Sequence, residues 1–259
     1  MTKNRALAAL FCCIFMNGCV VKARIDYINA YKAWRANNFE EAIMLYQKVA
    51  ESNPRSRYAA LSRFNMGNIY NMNLQRYELA VIEYQKAIVL AGFKGPYAYL
   101  SQKGIAEIYK GEFKNYERAI FEYKELFKYE ESGRDTEEIL EEIYQCYLSL
   151  KLYEDAEKEF LAYAGKTAIS ETEKNRIYVM IGNFNKLRGN WRSAVEYYGK
   201  AARDPVQEKN AKFLIAEIYF EKKMYKEALE IYRMLYEAEY NRDVVQEKIK
   251  FLEEKELIK

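Results

Sequence analysis

Six times along the chain, an aromatic residue stands three positions before an alanine and another ring stands four positions after it. The segments are ANNFEEAIMLYQKVAESNP (36–54), QRYELAVIEYQKAIVL (75–90), KNYERAIFEYKELF (114–127), KLYEDAEKEFLAYA (151–164), GNWRSAVEYYGKAA (189–202) and KMYKEALEIYRMLY (223–236). The alanines are Ala42, Ala80, Ala119, Ala156, Ala194 and Ala228. Before them come Phe39, Tyr77, Tyr116, Tyr153, Trp191 and Tyr225, and after them Tyr46, Tyr84, Tyr123, Phe160, Tyr198 and Tyr232. Three residues further stand Val49, Ala87, Leu126, Tyr163, Ala201 and Leu235. Offsets of −3, 0, +4 and +7 trace one stripe of an α-helix. A small residue in the middle of that stripe marks where another helix must approach closely. One such unit cannot bury its stripe alone, so the period itself implies a stacked array.

Ahead of each of these helices lies a second candidate helix with a small residue and a following ring. Gly67 precedes Tyr70, Ala106 precedes Tyr109 and Ala216 precedes Tyr219, with looser copies at Gly182 and Phe184, Tyr144 and Tyr147, and Ala30 and Trp34. A helix pair of this kind resembles the tetratricopeptide repeat (TPR), and the likeness covers about residues 23–240. Alanine-to-alanine spacings are 38, 39, 37, 38 and 34, against about 34 in the family. The surplus falls in the connectors AGFKGPY (91–97), YEESGRD (129–135) and AGKTAISETEK (164–174), and repeats two and three carry one more residue in the inner turn. The family's closing proline is matched by Pro54 and nearly by Pro205. The fold class expected is all-α: a right-handed α-solenoid of about six TPR helix pairs, spanning about 23–56, 61–98, 99–137, 138–174, 175–208 and 209–240. Residues 241–259 then form a capping helix, with Val244, Val245, Ile249, Leu252 and Leu257 as its apolar positions, because the last repeat of a solenoid has no neighbour to cover it.

Composition narrows the function. Three prolines suit long helices. Twenty-five tyrosines require a core built on rings with a polar tip. The chain has no histidine, which removes Ser-His-Asp and Cys-His catalysis and histidine-ligated zinc. A formal charge of +3 is too small and too dispersed for phosphate binding, so no nucleic-acid partner is expected. Gly165-Lys166-Thr167 lacks the earlier glycine of a phosphate loop, because Phe160 stands there. The carboxylates Glu137, Glu138, Glu141 and Glu142 share a helix face, but they read as acids near a helix N-terminus capped by Asp135 or Thr136. Cys146 reads as a buried core thiol. Neither a cofactor, a metal, a small-molecule substrate nor an enzymatic activity is expected.

The N-terminus suggests a location. MTKNR supplies two positive charges and ALAALFCCIFM (6–16) an apolar run of 11 residues, suited to a secretory signal and too short to span a bilayer. Two readings compete: a plain signal cleaved near Gly18, or the bacterial lipobox that Met16-Asn17-Gly18-Cys19 resembles. The second implies that 1–18 is removed, that Cys19 is acylated and that 19–22 form a short tether. Lys3 and Arg5 leave with the leader, so the mature charge is 3 − 2 = +1. The expected place is then the bacterial envelope, lipid-anchored at the periplasmic face of the outer membrane, with a secreted periplasmic protein as the alternative. Repeats that begin so soon after the cysteine, with YKAWRANNFEEAIMLYQKVAESNPRSRYA as the first, resemble the D-type lipoproteins of outer-membrane β-barrel assembly machinery.

TPR arrays bind extended peptides or partner helices in a groove lined by the first helix of each pair. By that resemblance the groove residues are Tyr27, Tyr31 and Trp34 in the first repeat, and Asn65, Asn68 and Asn71 beside Phe64 in the second. The third supplies Lys103, Glu107 and Lys110, the fourth Glu138, Glu141 and Gln145, the fifth Arg176, Asn183 and Lys186. Phe64 stands where a carboxylate-clamp lysine is needed, so that clamp is not expected. The function expected is a non-enzymatic scaffold for a protein or peptide partner, with an accessory or adaptor subunit of an envelope enzyme, peptidoglycan machinery or transporter as the alternative.

Overall fold

The computed structural model of the chain describes residues 21–52, 54–129, 132–166 and 169–256. The leader 1–18 and Cys19 lie outside them. Every regular element among the described residues is helical. After α1 (21–35) come α2 (Phe39–Ser52), α3 (Arg57–Asn68), α4 (Tyr77–Leu90), α5 (Gly95–Gly111), α6 (Tyr116–Leu126) and α7 (Ser132–Leu150). The remainder are α8 (Tyr153–Ala164), α9 (Glu171–Leu187), α10 (Trp191–Ala201), α11 (Glu208–Glu221), α12 (Tyr225–Glu237) and α13 (Arg242–Glu256). The second helix of each pair begins at the leading aromatic of the sequence motif, in all six copies. The chain divides into two compact units, Met1–Cys146 and Tyr147–Lys259, the division falling within α7.

Each pair is closed by the same backbone device. The residue five positions before each motif alanine adopts a left-handed conformation: Asn37, Gln75, Lys114, Lys151, Gly189 and Lys223, with φ between 50° and 80°. Only the fifth turn uses glycine, for which this region carries no Cβ penalty. The extra residue of repeats two and three also has a physical explanation. In the ordinary turns an N–H reaches back five residues, as in Asn38 to Ala33, Asn190 to Asn185 and Met224 to Tyr219. In repeats two and three the closing bond spans six, from Arg76 to Tyr70 and from Asn115 to Tyr109. In repeat two this widening continues α3 as a π turn, Ile69–Asn73.

Three connectors are shorter than the sequence suggested. α5 starts at Gly95, with Pro96 in its first turn, where a missing N–H costs nothing. α7 starts at Ser132 rather than at 138, so Asp135 is not its cap. Its carboxylate instead accepts a hydrogen bond from Tyr99 at 2.6 Å. α9 starts behind a capping box, in which Ser170 Oγ accepts from the Glu173 N–H at 3.1 Å and Glu173 accepts from the Ser170 N–H at 2.9 Å.

The core is a succession of ring-over-backbone contacts. All six motif alanines have no exposed surface, and the ring four residues on is at most 2% exposed in every copy. The Tyr84 ring is held between two glycines of neighbouring first helices. A Cβ built on Gly67 of α3 would lie 2.5 Å from one edge of that ring, and one on Gly104 of α5 would lie 2.9 Å from the other. In the second unit, a Cβ on Gly182 of α9 would lie 2.3 Å from the Tyr198 ring of α10. Polar ties repeat at fixed register in the first unit. Arg63 reaches Glu83 at 2.8 Å and Gln102 reaches Glu122 at 2.6 Å, both linking a first helix to the second helix of its own pair.

The terminal helix closes the second unit. Val245 and Leu252 are fully buried with the side chains of α11 and α12, and Ile249 is partly covered by them. Val244, expected among the apolar contacts, is 48% exposed instead, because it sits one step around the helix from the buried Val245. Lys248 ties α13 back to Glu217 of α11 at 2.8 Å.

Two glycines of the second unit separate these effects. Gly182→Ala is expected to destabilise by about 1–3 kcal/mol, since the ring it would strike is fully enclosed. Gly199→Ala, exposed within α10 and with open space at its Cβ position, is expected to stabilise by about 0.5–1 kcal/mol. Urea denaturation followed by circular dichroism measures both. Equal effects would remove the ring contact as the determinant of close approach.

Candidate functional site

The predicted groove residues lie on the first helices of each unit, and the structure divides them into committed and available side chains. Tyr27 is committed. Its ring packs between Tyr46 and Tyr58, with centroids at 5.5 and 5.4 Å, and its hydroxyl accepts from Asn65 Nδ2 at 2.9 Å. Asn65 is 7% exposed, and the same amide also reaches the Tyr46 hydroxyl at 3.3 Å. Both were expected to face a partner. They are instead an internal brace between α1, α2 and α3, because the polar tip of the motif tyrosine has to be satisfied there.

The same use of the motif tyrosine recurs. Tyr84 donates to Asn68 Oδ1 at 2.7 Å, Tyr123 to Glu142 at 3.4 Å, Tyr198 to Asn183 at 2.6 Å and Tyr232 to Glu217. Each ring is buried, and its hydroxyl is satisfied by a side chain of a first helix. Burial pushes the Tyr84 phenol up to about 12, with the Asn71 amide opposing and the Glu107 charge adding. Burial raises Tyr46, Tyr123 and Tyr232 as well. At Glu217 burial works against ionisation, but Lys248 and the Tyr232 hydroxyl outweigh it and hold the carboxyl below its ordinary value.

The predicted cations are also engaged. Lys103 pairs with Glu138 at 2.8 Å and Lys110 pairs with Glu142, joining α5 to α7 in the first unit. In the second unit Lys186 pairs with Glu221 at 2.8 Å, joining α9 to α11. These pairs stitch one first helix to the next. Glu141 accepts from Gln145 one turn later at 2.7 Å, and both remain exposed. Arg176 is partly buried on α9 and has an interaction partner. Glu107 is exposed on α5. Desolvation in its crowded setting raises its carboxyl pKa; Lys103 and Lys110 oppose the shift, and Glu138 and Glu142 reinforce it. Cys146 is fully buried, and burial lifts its thiol to about 11, the condition of a structural thiol.

What remains available in the first unit is a patch on α1, α3 and the π turn. Tyr31 is 41% exposed and meets Trp34 edge-on, with centroids 5.6 Å apart. The Trp34 indole N–H donates to Asn73 Oδ1 at 3.2 Å. Asn71 lies beside the Tyr84 hydroxyl, and the Asn68 NH₂ has no partner among the described residues. Met72 is 71% exposed. Sequence reasoning named Tyr31, Trp34, Asn68 and Asn71 but missed Met72 and Asn73. The signal for those two was the extra residue in the inner turn, which the structure converts into the π turn that presents them.

A tetratricopeptide repeat family model matches residues 29–98 and 188–243, one stretch in each unit. The intervening residues form helix pairs on the same plan. Among solved structures, the chain is similar to a tetratricopeptide repeat protein from Parabacteroides merdae, at 16% identity over 89% of this chain and 98% of that one, with a TM-score of 0.46. It is also similar to YrrB, a TPR protein with an unusual peptide-binding site, at 16% identity over 74% and 91% of the two chains and a TM-score of 0.46. A third is PilW, a type IV pilus biogenesis factor, at 12% identity over 89% and 97% and a TM-score of 0.44. No curated protein matches the sequence.

Glu107 yields a pH-dependent expectation. Its folded-state pKa is raised, so folding favours the protonated form. The resulting penalty is absent in acid, grows as pH rises through the carboxylate range and is fully present at neutrality. Glu107→Gln is therefore expected to raise the melting temperature at pH 7 and to leave it unchanged in acid. A variant equally affected at both pH values would contradict this origin.

Proposed function

We propose that the chain is a non-enzymatic scaffold, held by an acylated Cys19 at the periplasmic face of the outer membrane, that grips an extended segment of a protein partner. The observation that carries the binding reading is the patch of Tyr31, Trp34, Asn68, Asn71, Met72 and Asn73. Two adjoining rings supply contact area on short, stiff side chains. An exposed methionine adapts to an uneven apolar surface. An asparagine amide offers a donor and an acceptor together, which suits the N–H and C=O of an extended backbone. The rest of the described first-helix face in that unit is largely occupied by its own lysine–glutamate and tyrosine ties. The leader, the position of Cys19 and the first repeat YKAWRANNFEEAIMLYQKVAESNPRSRYA support a place in outer-membrane protein assembly.

A photo-cross-linking amino acid at position 72, activated in intact cells, tests the patch. A discrete protein adduct is expected, and Trp34→Ala should weaken its capture by roughly tenfold or more, as loss of an interfacial tryptophan does. An adduct that survives Trp34→Ala at full yield would move the site elsewhere. The adduct's identity separates an assembly component from an accessory role beside an envelope enzyme or transporter.

The anchor is tested independently. Cys19→Ala should abolish metabolic labelling by a palmitate analogue, and labelling that persists in the variant would refute acylation at Cys19.

A further inference from the structure

The outward face of α1 is apolar although no helix covers it. Val21, Ile25 and Ile28 are 57%, 53% and 39% exposed. At 100° per residue they lie opposite the buried side, which runs through Ala23, Tyr27, Ala30 and Trp34. In later repeats that outward side of a first helix is where the preceding pair packs, and before α1 there is none among the described residues. Around the stripe stand Lys22, Arg24, Lys32 and Arg35, against a single acid, Asp26. None of these charges has an ion-pair partner among the described residues. The stripe begins two residues after Cys19.

We infer that this face of α1 lies in the surface of an anionic lipid bilayer, with Val21, Ile25 and Ile28 among the acyl-chain ends and the four cations among the headgroups. The inference rests on the membrane-anchored reading, and it adds a second contact to the one at Cys19. An apolar stripe edged by basic residues is the pattern of an interfacial helix, and cations close to an anionic surface strengthen its attachment. A single weak contact joined to a covalent lipid becomes effective because the tether holds it at the surface. A second copy of the chain is the poorer occupant: pairing this face with itself would set four cations and one acid against the same set, charge against like charge.

The test uses the full chain reconstituted into vesicles of phosphatidylethanolamine and phosphatidylglycerol that contain an apolar diazirine photolabel. After illumination and digestion, label is expected on residues 21–28 and not on Met44, Val89 or Phe121, which are 64%, 61% and 50% exposed on other helices. Replacing phosphatidylglycerol with phosphatidylcholine should lower that labelling several-fold. In Ile25→Glu with Ile28→Glu it should be lost while the melting temperature is kept. Labelling of 21–28 no stronger than of Met44 overturns the inference. So does protection of the stripe without vesicles in a dimeric chain, which would place a second copy there. Palmitate labelling distinguishes the two readings: an acylated chain with an unlabelled stripe keeps the anchor and sinks the inference. A labelled stripe on an unacylated chain does the reverse.

Discussion

Everything in this fold follows from one contact, a ring laid on the backbone of a neighbouring helix. Tyr84 touches Gly67 on one edge and Gly104 on the other, so a single side chain sets the distance within its own helix pair and to the next. The small residues on both sides are therefore one requirement written in several places. The motif alanine lets a helix approach, and the glycine or alanine of the first helix gives the ring a surface to lie on. Close-packed interiors leave little room for adjustment at such contacts, which is why these few positions recur while the exposed faces vary freely.

The second requirement comes from the ring's polar end. A buried tyrosine must find a partner for its hydroxyl, and here the partner is always on a first helix: Asn65, Asn68, Glu142, Asn183 or Glu217. Those residues look like ligands for something outside the protein. Each nonetheless makes a hydrogen bond inward, to a motif tyrosine. The lysine–glutamate pairs between successive first helices absorb Lys103, Lys110 and Lys186 in the same way. What is left over for a partner is therefore small, and it gathers where the regular pattern is broken by the π turn.

The helix pairs were legible in the sequence because their cause is local. A stripe at −3, 0, +4 and +7 specifies a helix whatever surrounds it, and the start of α2, α4, α6, α8, α10 and α12 at the leading aromatic follows directly. The start of α9 has an equally local cause, the Ser170–Glu173 capping box, whose spacing is visible in the sequence. The roles of Asn65 and Lys110 were not readable. Their partners lie 38 and 32 residues away, at Tyr27 and Glu142, and identifying them requires knowing which helices adjoin and how each is rotated. The early start of α7 belongs to the same class, since Asp135 is held from another helix by Tyr99.

The buried hydroxyls also make the chain a gauge of its own integrity. A phenol that ionises only far into the alkaline range while enclosed returns to an ordinary pKa when its repeat opens. Phenolate absorbs at longer wavelength than phenol, so each of Tyr46, Tyr84, Tyr123 and Tyr232 is a lamp that lights when its own helix pair comes apart. Repeat arrays need not open all at once, and this one carries such a mark on the motif ring of its first, second, third and sixth copies. In the fourth copy Phe160 fills the same place without a hydroxyl, and the mark falls instead on Tyr147 of α7, a buried phenol that burial also raises.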